Sequence, residues 1–202
     1  IPLYDNYYTF MVTDNNIYAQ APLRQMYRMT NNGFQWHTFN TQSGGGFGVV
    51  QAIIEIDTII FIGTNGPGVY RSLDNGVTWN SANTSLTNCR IRAFGKQEST
   101  LFAGIENLGL YKSTDNGNSW KQVNEKFNNR NIHAIASTSR FVYAGAYFSG
   151  VFRSIDNGDH WQDVSSGLDG PTVWSLSVID STVFLGTNTG LFRSINNGDS
   201  WA

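Results

Sequence analysis

The sequence is poor in several features that other classes of protein depend on. Only 14% of its 202 residues are charged, with 13 Lys or Arg against 15 Asp or Glu. It has no basic stripe and no run of like charge, which argues against a nucleic-acid partner. Its apolar runs are far shorter than the roughly 18 residues that a membrane-spanning helix needs. The single cysteine, Cys89, excludes an internal disulfide.

What the sequence does contain is a repeat. The ten residues from 70 to 79 return with small changes at 111–120, 152–161 and 192–201, and a divergent copy occupies 27–36. The copies end at Trp36, Trp79, Trp120, Trp161 and Trp201, in steps of 43, 41, 41 and 40 residues. A fixed period of this length indicates a repeat architecture.

Each repeat predicts four short strands. Apolar stretches such as 60–63 and 91–94 are bounded by Gly, Asn, Asp or Ser, which is typical of strands. No sustained helical period accompanies them. In the third repeat we predict strands near 90–96, 100–105, 109–114 and 118–123. The period and the strand number predict an all-β chain, a β-propeller of five four-stranded antiparallel blades of about 41 residues.

The repeats predict one domain over residues 1–202. Its blades are expected at 7–40, 47–83, 90–124, 131–165 and 172–202. The chain ends where the fourth strand of the last repeat should begin, so we expect residues 1–6 to complete that blade by pairing the N- and C-terminal strands. A larger ring or an oligomer remains an open alternative.

The core of the repeat reads Ser-x-Asp-x-Gly-x-Thr/Ser-Trp. Its acidic position is Asp74, Asp115 or Asp156 in the central copies and Asn31 or Asn196 in the outer ones. A side-chain oxygen at the start of a hairpin loop accepts hydrogen bonds from backbone N–H groups, and Asn-Gly tolerates the positive φ of a tight turn. We therefore predict a structural turn, with the tryptophan covering the blade edge, rather than a catalytic or metal site.

The same pattern resembles the Asp-box, or BNR repeat, of sialidases, sortilin-type receptors, xyloglucan-acting glycosidases and photosystem assembly factors. The resemblance covers nearly the whole chain. It implies that each Asp-box lies between the third and fourth strands of its blade, on the rim away from any active site. It also implies an extracellular or periplasmic protein.

The predicted ligand site lies on the opposite face, around the mouth of the channel. Four unlike side chains stand 41 residues apart on the innermost strands: Gln51, Arg92, His133 and Trp174. The loops between second and third strands differ from blade to blade and add Glu106, Asn107, Tyr147, Phe148 and Asn188. We interpret these residues as ligand-binding candidates. The alternative is that the first four only fill or line the channel.

The favoured function is that of a non-catalytic module that binds a carbohydrate or a protein at this face. Aromatic rings stack on sugars, and amides hydrogen-bond to hydroxyls. The alternative is a glycoside hydrolase, sialidase-like or other, which needs a carboxylate pair. The carboxylates expected at this face, Glu106, Glu125 and Asp169, have no partner at an informative spacing, and the Phe/Tyr-Arg-Ile-Pro motif is missing. No cofactor or metal is expected, because the three histidines are scattered.

Overall fold

A computed structural model describes residues 9–12, 16–20, 26–30, 36–39, 48–86, 88–128, 130–169 and 172–202. The chain is all-β and forms five antiparallel sheets of the β-propeller blade type, so the predicted fold class is confirmed. It divides into two compact units, residues 1–91 and 92–202. Within the described residues, no helix is long and apolar enough to cross a membrane.

The first unit holds two four-stranded sheets. Blade 1 contains β1 (Thr9–Val12), β2 (Asn16–Gln20), β3 (Met26–Thr30) and β4 (Trp36–Phe39). Blade 2 contains β5 (Val50–Ile56), β6 (Ile59–Thr64), β7 (Val69–Ser72) and β8 (Asn80–Ser81). Their apolar faces contribute to one buried cluster, which consists of Tyr18, Met26, Val50, Ile53, Ile60, Ile62 and Trp79.

The second unit holds the remaining three sheets. Blade 3 contains β9 (Ile91–Gln97), β10 (Thr100–Ile105), β11 (Gly109–Ser113) and β12 (Lys121–Gln122). Blade 4 contains β13 (Ile132–Ser137), β14 (Val142–Ala146), β15 (Gly150–Ser154) and β16 (Gln162–Asp163). Blade 5 contains β17 (Val173–Ile179), β18 (Thr182–Thr187) and β19 (Leu191–Ser194). The helix that the structure describes is a single 3-10 turn, Glu125–Phe127.

The fifth sheet differs from the others because it has three full strands. Ala202 nevertheless extends it, since its N–H donates to the Arg193 carbonyl at 3.0 Å and its carbonyl accepts from the Arg193 N–H at 2.8 Å. The predicted completion of this blade by residues 1–6 falls outside the described residues. The prediction that all five repeats form one domain stays a prediction.

The fourth strands are shorter than predicted. The sequence suggested 118–123 in blade 3, whereas β12 covers only Lys121–Gln122. The reason is the turn that precedes it. Residues from Ser113 to Trp120 are held in a loop by hydrogen bonds of their own, so the ladder with β11 resumes only after the tryptophan.

This loop, which we call the clasp, has one hydrogen-bond pattern in blades 2 to 5. In blade 3 the Ser113 hydroxyl donates to Asp115 at 2.7 Å and accepts from the N–H of Gly117 at 2.9 Å. The same carboxylate accepts from the N–H of Ser119 at 2.9 Å and from its hydroxyl at 2.5 Å. In blade 5 Asn196 replaces the aspartate, accepts from the N–H of Ser200 at 3.0 Å and donates to its hydroxyl.

The clasp holds its carboxylates in the ionised form. Hydrogen bonds from Thr78 lower the pKa of Asp74 to about 2, and those from Ser119 do the same for Asp115. Burial raises the pKa of Asp156, but hydrogen bonds from the backbone and ring of His160 outweigh it and leave the pKa at about 2. These shifts come from turn hydrogen bonds, so they support the structural interpretation of the repeat rather than an acid catalyst.

Clasps also pack against the preceding blade within the second unit. Gly158 has φ +81°, and a Cβ added there would lie 2.4 Å from the Phe102 ring. Trp161, which ends the same clasp, packs edge-on against Phe102 and Phe127, with ring centroids 6.2 and 5.2 Å away. The tryptophan is 4% exposed. It therefore joins two neighbouring blades, and each edge-on pair contributes about 0.5–1.5 kcal/mol beyond its buried area.

A repeated cation makes a second link between neighbouring blades. Lys112 of blade 3 pairs with Asp159 in the blade 4 clasp at 2.5 Å. Arg153 of blade 4 pairs with Asp199 in the blade 5 clasp at 2.7 Å and donates to the Asn197 carbonyl at 2.7 Å. Because both carboxylates are mostly exposed, each ion pair adds at most about 1 kcal/mol.

Because Gly158 lies so close to Phe102, the stability of the protein should depend strongly on having glycine at this position. Gly158→Ala should lower the free energy of unfolding by about 2–4 kcal/mol, because an unfavourable positive φ combines with overpacking. Gly167→Ala is the matched control, since Gly167 has φ +87° and nothing within 4 Å of an added Cβ. It should cost about 1 kcal/mol. Urea denaturation measures both, and equal losses would contradict the packing argument.

The clasp also predicts a specific response to acid. A carboxylate whose pKa is lowered by folding adds stability above its unfolded pKa, and this stability is lost as the pH falls from about 4 to about 2. Asp115→Asn copies Asn196, so the clasp should survive at pH 7 while one titrating group disappears. The free energy of unfolding should then fall less steeply in acid than in the wild type. If the Asp115→Asn protein lost stability in acid as steeply as the wild type, the role given to the Asp115 carboxylate would be refuted.

Candidate functional site

Three of the four predicted innermost residues lie at breaks in the strand ladder. The pairing shifts register between Val50 and Ala52 in blade 2, between Ile132 and Ala134 in blade 4, and between Val173 and Ser175 in blade 5. The residue skipped each time is Gln51, His133 or Trp174. A β-bulge turns a side chain out of the regular alternation, and bulges are frequent beside functional sites.

In the second unit, two of these bulges contribute to an aromatic cluster. His133 stacks on Tyr147 at a centroid distance of 5.7 Å and an angle of 27°, and it meets Trp174 edge-on at 5.1 Å. Tyr147 also contacts Trp174 at 5.4 Å and Phe148 at 4.1 Å. We call His133, Tyr147, Phe148 and Trp174 the aromatic patch. Blades 4 and 5 supply it together.

The patch exposes much of its apolar surface. Phe148 is 66% exposed and Trp174 is 49% exposed. Phe148 also has φ +51°, a left-handed backbone that bulky residues rarely adopt. The equivalent residue of blade 3 is Asn107, which has φ +61° and suits this conformation better. An exposed aromatic residue in a strained position is a feature that clusters at binding sites.

An ion pair lies near the patch. The Arg92 guanidinium donates two hydrogen bonds to Oε2 of Glu106, one of them from Nε at 2.9 Å. Both side chains are partly buried, so the pair is held more firmly than one on an open surface. Together, the two residues give this part of the site no net charge.

His133 lies close enough to both charges to respond to them. Its pKa is lowered, first by burial and then by the positive charge of Arg92, and Glu106 offsets only part of this. The imidazole is therefore neutral at pH 7. A neutral ring can stack on Tyr147 without the desolvation cost of a buried charge.

The turns that carry the site are held by residues that come just before the first strand of the following blade. The N–H of Asn107 donates to Oδ1 of Asn131 at 2.6 Å, and the N–H of Phe148 donates to the hydroxyl of Thr172 at 3.2 Å. Asn131 and Thr172 are 41 residues apart and precede β13 and β17. The sequence analysis missed both residues, although their spacing within the repeat could have indicated them.

The structure brings together six of the nine predicted site residues: Arg92, Glu106, His133, Tyr147, Phe148 and Trp174. Gln51 is on β5 of the first unit. Asn188 is exposed in the turn between β18 and β19. Asn107 lines a cavity of about 260 Å³. The other residues that line it were not predicted as site residues: Leu108, Tyr111, Gln122 and Asn128.

The site is mostly aromatic. Among the described residues, no group of three or more His, Cys, Asp or Glu could hold a metal ion. Its polar groups are one ion pair and one neutral imidazole, and the rest of its surface is aromatic.

Comparison with solved structures supports the fold. YCF48 bound to a D1 peptide is 18% identical, with a TM-score of 0.71 over 98% of this chain and 66% of that one. A GH74 xyloglucanase from Xanthomonas campestris is 15% identical, with a TM-score of 0.68 over 93% and 36%. An ancestral GH74 enzyme is 26% identical, with a TM-score of 0.62 over 81% and 24%.

This chain thus spans less than two thirds of each of these structures. No family model matches the chain, and no curated protein matches it. The β-propeller fold is therefore shown, whereas the ligands and activities of these proteins belong to them.

The strained backbone of Phe148 predicts a gain in stability when it is replaced. Phe148→Asn, which copies Asn107 of blade 3, should raise the free energy of unfolding by up to about 1 kcal/mol, because Asn tolerates a left-handed backbone better. Urea denaturation measures the change. Ser149→Asn, at the next position of the same turn, is the control and should give no gain. A destabilised Phe148→Asn protein would show that ring contacts outweigh the strain.

Proposed function

We propose that the chain is a non-catalytic binding module that recognises a protein partner through the aromatic patch. The observation that carries this proposal is the pair of exposed rings, Phe148 and Trp174, with Phe148 held in a strained backbone on top of Tyr147. Exposed aromatic residues are the side chains that most often dominate binding energy at protein interfaces.

The geometry of the rings favours a protein over a carbohydrate at this patch. A sugar stacks best on one broad flat face. Here neighbouring rings meet at 84°, 60° and 54°, so the surface is uneven and apolar. Such a surface suits an apolar or aromatic side chain that inserts between the rings, with the Arg92–Glu106 pair as a polar neighbour. A carbohydrate bound at the same patch is the other outcome of the test.

The similarity to YCF48 agrees with this proposal, since that protein was solved with a bound peptide. At 18% identity the likeness supports only the fold, so the partner class rests on the patch itself.

The likeness to two GH74 enzymes favours the alternative, a glycoside hydrolase. The described side chains do not favour a glycoside hydrolase. Glu106 already accepts two hydrogen bonds from Arg92. The Tyr–Glu pair that a sialidase-like enzyme would need could be sought in the first unit, where Tyr18 donates to Glu55 at 3.2 Å. Tyr18, however, has no exposed surface. A fully buried hydroxyl cannot reach a sugar.

The clasp hydrogen bonds also support the assignment of the repeats as Asp-boxes. The repeated Ser and Asp or Asn side chains close the loop between the third and fourth strands, as the resemblance implies. An extracellular or periplasmic location remains a further proposal that rests on this resemblance. Cell fractionation with an antibody against the protein tests it, and recovery only from the cytosol would disprove it.

The binding proposal is tested with a library of random peptides displayed on phage. Selection on the whole chain should enrich peptides that contain aromatic or large aliphatic residues, and Trp174→Ala should weaken their binding about tenfold or more in calorimetry. Ile195→Ala is the matched control. Ile195 is also an exposed apolar residue of blade 5, but it belongs to the clasp, so its loss should leave the affinity unchanged.

Three results would contradict the proposal. One is a selection that enriches no peptide. Another is equal weakening by the two variants. The third is hydrolysis of xyloglucan or of a sialyl substrate by the same preparation, which would favour the enzyme instead.

A further inference from the structure

The cavity on blade 3 is a second feature that the aromatic patch does not explain. It measures about 260 Å³ and is lined by Asn107, Leu108, Tyr111, Gln122 and Asn128. We call it the amide cavity. It is open to solvent, and none of its five lining residues belongs to the aromatic patch.

The amide cavity arises where blade 3 departs from the repeat. In blades 2 and 4 the second residue after the fourth strand, Asn83 or Ser165, accepts a hydrogen bond from an N–H of the third strand. In blade 3 the equivalent residue, Asn124, instead accepts from the N–H of Lys126 at 2.9 Å and caps the 3-10 turn. Phe127 is buried by this turn, and Asn128 follows it beside Gln122.

Two of the three amides of the cavity, those of Gln122 and Asn128, are linked by a hydrogen bond. Nε2 of Gln122 donates to Oδ1 of Asn128 at 2.7 Å and to the carbonyl of Leu108 at 3.1 Å. Within the described part of the chain, the remaining Oε1 of Gln122 and Nδ2 of Asn128 have no hydrogen-bond partner. These two side chains therefore leave one acceptor and one donor for a ligand. A hydroxyl group, which both donates and accepts, can bond to either of them.

We propose that the amide cavity binds a neutral saccharide, at the scale of one sugar ring. None of its five lining residues is charged, which disfavours an ionic ligand. Its volume falls just below the range of roughly 300–1,000 Å³ typical of drug-sized ligands. Tyr111 and Leu108 supply an apolar wall for the C–H face of a sugar, and the amides meet its hydroxyls. A peptide would instead bind by adding a strand to an exposed sheet edge.

This inference goes beyond the proposed function, because it assigns a second ligand to other residues. It is tested by NMR on the whole chain, with the side-chain amides of Asn107, Gln122 and Asn128 assigned. D-glucose, D-galactose, D-mannose, D-xylose and N-acetyl-D-glucosamine are each titrated to about 100 mM, which detects even very weak binding. At least one of them should shift all three amides.

Two variants locate the binding. Asn128→Ala removes one amide, and Gln122→Ser copies Ser81 at the equivalent position of blade 2. Each should weaken the active saccharide about tenfold, because an oriented hydrogen bond is lost. Asn188→Ala, which removes an exposed amide from the turn between β18 and β19, is the control and should change nothing. Trp174→Ala should also leave the saccharide affinity intact, which separates this test from the peptide experiment.

The proposal is overturned if no saccharide of the panel shifts these amides. It is also overturned if one binds with an affinity that neither variant changes. Perturbation of the same amides by a selected peptide, without any effect of the sugars, would assign the cavity to the protein partner.

Discussion

Close stacking of neighbouring sheets is the constraint on which the second unit depends. At Gly145 an added Cβ would lie 2.5 Å from Val173 of the next blade, and at Gly158 it would lie 2.4 Å from Phe102 of the preceding one. Sheets that approach so closely leave no room for water, so β10 and β14 are buried along their whole length. The clasp must then hold Gly158 in a left-handed turn, which explains its dense hydrogen bonding.

Within the second unit, the clasp end and the opposite end of a blade carry different constraints. The clasps of blades 4 and 5 need the same few residues, because each meets the same part of the blade before it. In the turns between second and third strands, the N–H groups of Asn107 and Phe148 donate to residues just before the first strand of the next blade, and any residue except proline can donate in this way. This contact therefore does not fix the side chains of the turns. Blade 3 places Glu106 and Asn107 there, whereas blade 4 places Tyr147 and Phe148.

The difference between the two ends also explains what the sequence could predict. The strands, the blade number and the role of Asp115 follow from local chemistry that repeats every 41 residues. The spacing of Gln51, His133 and Trp174 was visible too, but not the bulges that expose them, because a bulge depends on pairing with β6, β14 or β18. The amide cavity could not be predicted either. It exists because Asn124 caps a helical turn instead of bonding to β11 as its equivalents do.

The energetics of Phe148 separate stability from function. A left-handed backbone costs a non-glycine residue about 1–2 kcal/mol. Its contact with Tyr147 returns about 0.5–1.5 kcal/mol, so the turn gains little net stability from the ring. Asn107 forms the equivalent turn of blade 3 with the same backbone contact and no exposed apolar surface. Since the turn of blade 3 forms without a phenylalanine, the exposed ring of Phe148 supports the binding surface proposed above.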